Sequence, residues 1–439
     1  MKIQTGTIIL FSFLLLYAPH KKSQILTLRK SEQLALEKNF DVQTARFELA
    51  SAIWEQRGLF GNLLPTVSFQ SNWFRSETPD DLPPGIEPPV TPGMPGLTPD
   101  GFFHQLSVTQ PIFNGGTELV SLLMANSTLS ALQFQLKAAG QDAILDARTN
   151  YLNTILLREQ IHIDSMGIEW VRGNLEQARV RFEEGLLPIS EILRWEAETY
   201  DREARYRESI ALYEASLAML LLIIGEEKLS GEDISLEGVE LLERMYQQLG
   251  PVPDGRVEDN PSIIAAKERL RVSERAVLLS VTPFLPNINA FFNYDWPPGN
   301  GVIPQDEGTW SIGVQLNLTL FAGGSRYAQL MQSRNELRSA EAMTTQIIRQ
   351  TSVNLHRSAL LFRSSLFEAE AARSRVELMR RALSSVERRY QTGLASFLEL
   401  LDTQIQTESA LSAYLASIVN CITRQAEYLR AAGILEETR

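Results

Sequence analysis

The sequence predicts an internally duplicated α+β membrane protein in which four β-strands interrupt helices too long for a globular domain. Duplication is the first observation behind this. Arg181-Phe-Glu-Glu-Gly185-Leu186 returns as Arg389-Tyr-Gln-Thr-Gly393-Leu394, and Phe113-Asn-Gly115-Gly116 returns as Phe321-Ala-Gly323-Gly324, both 208 residues later. Upstream, Asn39 to Pro65 matches Asn260 to Pro286 at a spacing of 221. The second observation is a run of 68 residues, Ser325 to Thr392, without Gly or Pro. The third is strict polar/apolar alternation from Trp310 to Leu320. Two halves with four strands in all cannot close a barrel alone. The pattern points to an oligomeric conduit and away from an enzyme.

Taken in order, the chain opens with Lys2 and an apolar run from Ile8 to Ala18, followed by Pro19-His20-Lys21-Lys22-Ser23. This reads as a secretory signal, since a helix that spans a bilayer needs roughly 20 apolar residues. No later stretch is expected to cross a membrane as a helix, so a mature membrane protein would have to span by strands. The expected divisions are a signal peptide (1–23), a first repeat (24–225), a connecting segment (226–258), a second repeat (259–432) and a tail (433–439).

Each repeat predicts a helix, a strand hairpin, a long helix and a return helix. Helices are expected over Ser31 to Gly58 and Asp259 to Val281. Long helices follow from Gly116 to Glu184 and from Ser325 to Thr392, the latter with apolar residues at Leu355, Ala359, Phe362, Leu366 and Ala369. At ~1.5 Å per residue each is roughly 100 Å long, which calls for coiled-coil packing. Gly185 and Gly393 suit the left-handed position that ends a helix. Return helices are expected from about Pro188 to Ile224 and from about Ala395 to Ala432. In each half the two shorter helices together nearly equal the long one. Two short helices stacked end to end beside one long helix would give a tall cylinder.

The second hairpin has the stronger strand signal. Trp310, Ile312, Val314, Leu316, Leu318 and Leu320 face one way, and Ser311, Gly313, Gln315, Asn317 and Thr319 the other. Its partner puts Ile288, Ala290, Phe292, Tyr294 and Trp296 on one face and Asn287, Asn289, Asn293 and Asp295 on the other, with Phe291 the exception. Tilted strands of ~9–11 residues span a bilayer, so Ile288, Phe292, Tyr294, Trp296, Trp310, Ile312, Val314, Leu316 and Leu318 are the expected lipid-facing positions. In the first hairpin the apolar positions are Val67, Phe69 and Trp73, then Leu106, Val108 and Ile112. Aromatics gather near the strand ends as interfacial girdles do. A soluble sheet with one buried face alternates in the same way, but 11 residues is long for it. Thr78 to Asp100 holds eight of the 20 prolines and is expected to be an exposed loop at the hairpin tip.

Little in the chain suggests chemistry. The formal charge of −12 argues against nucleic acid as the main partner. Cys421 is the one cysteine, so no disulfide or thiolate cluster is expected. Of His20, His104, His162 and His356, no two have metal-ligand spacing, and no phosphate loop or nucleophile motif occurs. No catalytic residue, cofactor or metal is expected. Glu399 and Asp402, three apart, share a face of the helix after Gly393. Spacing alone fits a solvated helix face. It also fits two stacked rings of acid, if symmetry repeats the pair around a pore. Arg181 and Arg389 suit helix-end cations.

Together these features resemble the TolC family of outer-membrane efflux channels. The resemblance rests on Leu26 to Asn39, Leu64-Pro65, Leu285-Pro286, Pro111 to Gly116, Leu320 to Gly324 and the two Arg-aromatic-x-x-Gly-Leu turns. It implies a homotrimer, each protomer giving four strands to a 12-stranded β-barrel in the outer membrane, continued by a long periplasmic α-helical barrel. A periplasmic adaptor, linked to an inner-membrane transporter, would meet the turns at Arg181, Gly185, Leu186, Arg389, Tyr390, Gly393 and Leu394. Glu399 and Asp402 fall at the family's pore constriction, with Glu at the first acidic position. Ala395 stands where some relatives carry a basic latch residue. The implied function is the passive exit duct of a tripartite efflux pump. The outer-membrane component of a type I protein secretion system is one alternative, and a periplasmic coiled-coil scaffold without a pore is another.

Overall fold

A computed structural model describes residues 24–75, 100–226, 234–250, 256–299, 302–304 and 307–438. The signal segment and the proline-rich loop therefore lie outside the described residues, as does Asp100's side chain. The first repeat holds α1 (Leu28–Lys38), α2 (Phe40–Gly61), β2 (Thr66–Arg75), β3 (Asp100–Asn114), α3 (Thr117–Glu183) and α4 (Ile189–Ile223), preceded by β1 (Gln24–Leu26). A connecting pair follows, β4 (Ile234–Leu236) and α5 (Glu240–Gln247). The second repeat holds α6 (Pro261–Val281), β5 (Asn287–Gly299), β6 (Thr309–Asn317), α7 (Ser325–Gln391) and α8 (Phe397–Ala431). The duplication is metrically close: α3 and α7 each have 67 residues, and α4 and α8 each have 35.

One sequence expectation needs correcting at the start. A single helix was expected from Ser31 to Gly58, but the chain forms α1 and α2 with a break at Asn39. Asn39 is extended (ψ 133°), and its side-chain carbonyl accepts from the N–H groups of Asp41 at 2.9 Å and Val42 at 3.4 Å. An Asn side chain satisfies the first orphan donors of a new helix better than it serves a helix interior. Asn260 does the same for α6, accepting from Ser262 N–H at 2.9 Å. The sequence match between halves thus begins at a shared helix cap.

The helices pack side by side. α3 lies against α2 and α6 over its first part and against α4 and α8 over its second, while α7 lies against α6 and then α8. Two shorter helices thus run end to end beside each long one. The outer helices of this layer are left open. Phe40, Phe47 and Trp54 recur every seven residues on α2 and are exposed, as are Val353, Leu360 and Phe367 on α7. One 18-residue window of α3 is apolar enough by length and composition to cross a membrane. That amends the expectation that no later stretch approaches a membrane helix. The window belongs to a helix of 67 residues that packs against five others.

Around mid-height the connecting segment folds onto the helices. β1 and β4 pair in parallel, and α5 rests on α8. They enclose the largest core, built on Leu28, Tyr151, Leu152, Ile155, Leu220, Ile224, Leu242 and Ile418. The Tyr151 hydroxyl donates to the Leu26 carbonyl at 2.7 Å and accepts from Glu237 N–H at 3.1 Å, and burial pushes it well above the usual phenol range. The C-terminal tail is held by a buried pair, Arg148 Nε to Glu32 Oε1 at 2.7 Å. Arg148 also donates to the Glu436 carbonyl at 2.9 Å, and the Thr438 hydroxyl to Glu32 at 2.9 Å. Cys421 is buried nearby, and burial raises its thiol above the ordinary value.

The sheet is antiparallel in the order β2-β3-β5-β6, so β2 and β6 are unpaired edges. Register sorts its faces. Directly opposed residues share a face, and Val67–Val108–Phe292–Ile312 and Phe69–Leu106–Tyr294–Trp310 run in rows across all four strands. Ile288, Leu316, Val314 and Trp296 continue this apolar face. Ser68–Ser107–Asn293–Ser311 and Gln70–Gln105–Asp295–Thr309 form rows of the other face, where Gln105 donates to Asp295 at 2.7 Å. Phe291, out of pattern in the sequence, lies opposite Gly313 and covers it: a Cβ there would be 2.8 Å from the Phe291 ring. Three positions depart from the sequence reading. Leu318 and Leu320 lie beyond β6, which stops at Asn317. A register shift between Pro111 and Phe113 leaves Ile112 without a partner, because proline has no N–H for the ladder.

Strand turns into long helix through two successive left-handed glycines, with φ 61° and 84° at Gly115 and Gly116 and 60° and 83° at Gly323 and Gly324. The copies differ in surroundings. A Cβ on Gly115 would strike the Thr282 carbonyl oxygen, whereas nothing lies within 4 Å of one on Gly323. Gly323→Ala should cost only the left-handed strain, ~1 kcal/mol, and Gly115→Ala distinctly more. Thermal unfolding of the detergent-purified variants checks this order.

Candidate functional site

Both long helices end at the pole opposite the sheet, and each turns by the same device. Gly185 has φ 75° and Gly393 φ 77°. Leu186 N–H donates to the Arg181 carbonyl at 2.8 Å, and Leu394 N–H to the Arg389 carbonyl at 2.7 Å. This is the Schellman closure, which needs a residue at positive φ and satisfies carbonyls that a helix end leaves open. It points Leu186 and Leu394 into solvent, both about 70% exposed (68% and 72%).

Beneath the two turns a separate core locks the hairpins together. Trp195 is fully buried, edge-on to Phe397 at 4.6 Å between centroids and to Trp170 at 5.6 Å. Val171, Ala178, Ile192, Tyr390 and Leu400 complete it, and Ala395 packs against it. Burial raises the Tyr390 hydroxyl above its ordinary value. None of these aromatics was singled out from sequence apart from Tyr390. The apolar positions Ile192, Trp195, Phe397 and Leu400 recur at helical spacing next to both turns, which is the signal that could have marked them.

The two arginines of the repeated turn motif do different things. Each was read as a cation serving its own helix end. Arg181 instead crosses to the other hairpin, donating to the carbonyls of Gln391 at 3.2 Å and Tyr390 at 3.5 Å with its guanidinium over the Tyr390 ring (5.6 Å). Arg389 stays within its own turn, donating to Glu399 Oε1 at 2.6 Å and to the Leu394 carbonyl at 3.1 Å. Glu399 is thus paired. Asp402, one turn farther along α8, is exposed and has no hydrogen-bond or ion-pair partner among the described residues.

A second tie lies farther up. Arg202 of α4 is 4% exposed, pairs with Glu198 at 2.7 Å and reaches Glu408 on α8. It passes α3 at Gly167, where a Cβ would come within 2.5 Å of the guanidinium. Burial works against the charge, but the two carboxylates hold its pKa above the ordinary value. A glycine inside a long helix is the available sequence signal for such a close approach. Among the described residues no group of three His, Cys, Asp or Glu side chains could hold a metal ion.

A sequence model of the family described as "Outer membrane efflux protein" matches residues 253–432. Over almost the whole chain, the fold matches the Campylobacter jejuni CmeC outer membrane channel. The TM-score is 0.77 at 17% identity, covering 94% of this chain and 87% of that one. The Vibrio cholerae outer membrane protein VceC matches with a TM-score of 0.73 at 16% identity, covering 92% and 96%. The chain has the fold of these outer-membrane channels, and its second repeat carries the efflux-protein sequence pattern. Among curated relatives, the alkaline protease secretion protein AprF of Pseudomonas aeruginosa is 21% identical over 77% of this chain and 71% of its own length. The probable efflux pump outer membrane protein TtgC of Pseudomonas putida is 27% identical over 52% of this chain, and the match spans about half of that relative (47%).

Trp195→Ala should empty the centre of the tip core and cost ~3–5 kcal/mol. Amide exchange is expected to speed up over residues 167–200 and 383–404 together, while the core around Tyr151 keeps its protection. Loosening confined to one hairpin would contradict a shared lock.

Proposed function

We propose that three copies of this chain form the outer-membrane exit duct of a tripartite efflux pump. The sheet carries this reading. Four antiparallel strands with both edges unpaired and a continuous apolar face are a barrel segment, since only a closed sheet satisfies its backbone in lipid. Three such segments make a 12-stranded wall, its apolar face to lipid and its Ser, Thr, Asn and Gln face to the lumen. The open helical edges support the same assembly. The exposed stripes on α2 and α7 would meet between protomers and continue the barrel as a periplasmic helical tunnel.

The turns form the inner end of that duct. Arg181, Gly185, Leu186, Arg389, Tyr390, Gly393 and Leu394 are the proposed contact for a periplasmic adaptor joined to an inner-membrane transporter. Exposed Leu186 and Leu394 offer it apolar contact, with the tip core behind them for rigidity. Glu399 and Asp402 on the first turns of α8 form the proposed pore entrance. The duct is passive, with energy supplied by the inner-membrane partner. Opening would separate the α7–α8 hairpin from α3–α4 at the Arg181 and Arg202 ties.

The likeness to AprF keeps protein secretion as the second reading. A deletion strain separates the two: efflux predicts sensitisation to toxic small molecules, and secretion predicts loss of an exported protein with unchanged sensitivity. For the duct itself, purified protein in planar bilayers should conduct and prefer cations. Asp402→Asn should lower the cation-to-anion permeability ratio, by roughly two-fold. Protein that passes no current would overturn the duct, and an unchanged ratio in Asp402→Asn would overturn the entrance.

A further inference from the structure

The acidic pair at the entrance is not two equivalent charges. Glu399 sits in the first turn of α8, its N–H capped by Ser396 Oγ at 3.2 Å. Its carboxylate turns back across the turn to Arg389, with contacts of 2.6 Å from Nη1 and 3.5 Å from Nη2. The Leu394 carbonyl accepts from the same guanidinium at 3.1 Å, which fixes the arginine over the turn. Asp402 has no such partner. The first hairpin lacks this arrangement: Arg181 is spent on Tyr390 and Gln391, and Arg194, 208 residues before Asp402, stands at the matching place.

We propose that Arg389 is a selectivity-setting residue: by neutralising Glu399 it leaves Asp402 as the one uncompensated carboxylate that each protomer brings to the entrance. The proposal rests on the entrance reading above and assigns the charge within it. The three side chains carry a net charge of one negative per protomer, and a trimer would present one acidic ring rather than two. Arg389 also positions Glu399, since the carboxylate is held toward the turn. Because the pair is half-exposed, its influence is screened by salt, and low ionic strength gives the clearest readout.

Reversal potentials of the full-length protein in planar bilayers under a KCl gradient test this. Arg389→Gln unmasks Glu399 and should raise the cation-to-anion permeability ratio on the order of two-fold, while Arg389→Lys keeps the wild-type ratio. Glu399→Gln should lower the ratio by leaving the arginine unpaired, and R389Q/E399Q should restore it. If Arg389→Gln leaves the ratio unchanged, or if the double variant behaves as Glu399→Gln alone, Arg389 does not neutralise Glu399. The exchanged pair R389E/E399R serves if Arg389→Gln does not reach the membrane. It should keep the wild-type ratio, and a changed ratio would overturn the proposal. An unchanged ratio in Asp402→Asn alone fails the entrance reading and not the Arg389–Glu399 charge balance.

Discussion

Backbone hydrogen bonding in lipid is the constraint on which the rest of this structure depends. An unpaired N–H or C=O in hydrocarbon costs several kcal/mol, and β2 and β6 each present a row of them. On the proposed reading the apolar rows across four strands face lipid, yet one chain supplies only an open segment. In the proposed trimer, closure comes from other copies. Every larger feature follows: the seven-residue stripes left exposed on α2 and α7, the paired long helices that extend the wall, and the turns gathered at the far end.

Much of this was legible in the sequence because repetition and periodicity are local properties of the chain. The glycine pairs fixed both strand-to-helix corners, and the left-handed glycines fixed both tips. The ends of the long and return helices and of α6 fell within two residues of the expected positions, while the first helical stretch begins three residues before Ser31 and ends three after Gly58. The break at Asn39 was missed because asparagine inside an apolar-periodic run looks like a solvated helix position until its side chain is seen capping the next helix. β6 was read too long because Leu318 and Leu320 continue the alternation after pairing has stopped. Alternation reports the face a residue would take, not whether a partner strand is there.

The tip was less legible, for a reason of distance. Arg181 lies about 210 residues from the carbonyls it serves, and Arg202 a similar distance from Glu408. Nothing in local spacing tells an arginine that serves its own helix from one that serves another. The duplicated motif suggested equal roles for Arg181 and Arg389, and the structure gives them different ones. Equal ancestry of the two hairpins has left room for one to tie the pair together and the other to set its own charge.

Inter-strand crosslinking tests the central claim most directly. On a Cys421→Ser background, a single cysteine on β2 (at Ser68, Gln70 or Asn72) is combined with one on β6 (at Ser311 or Gln315), and membranes are oxidised. Closure between copies predicts a denaturing-gel ladder that rises to three chains and stops there. Crosslinks confined within single chains, or a ladder that ends at two or runs past three, would contradict it.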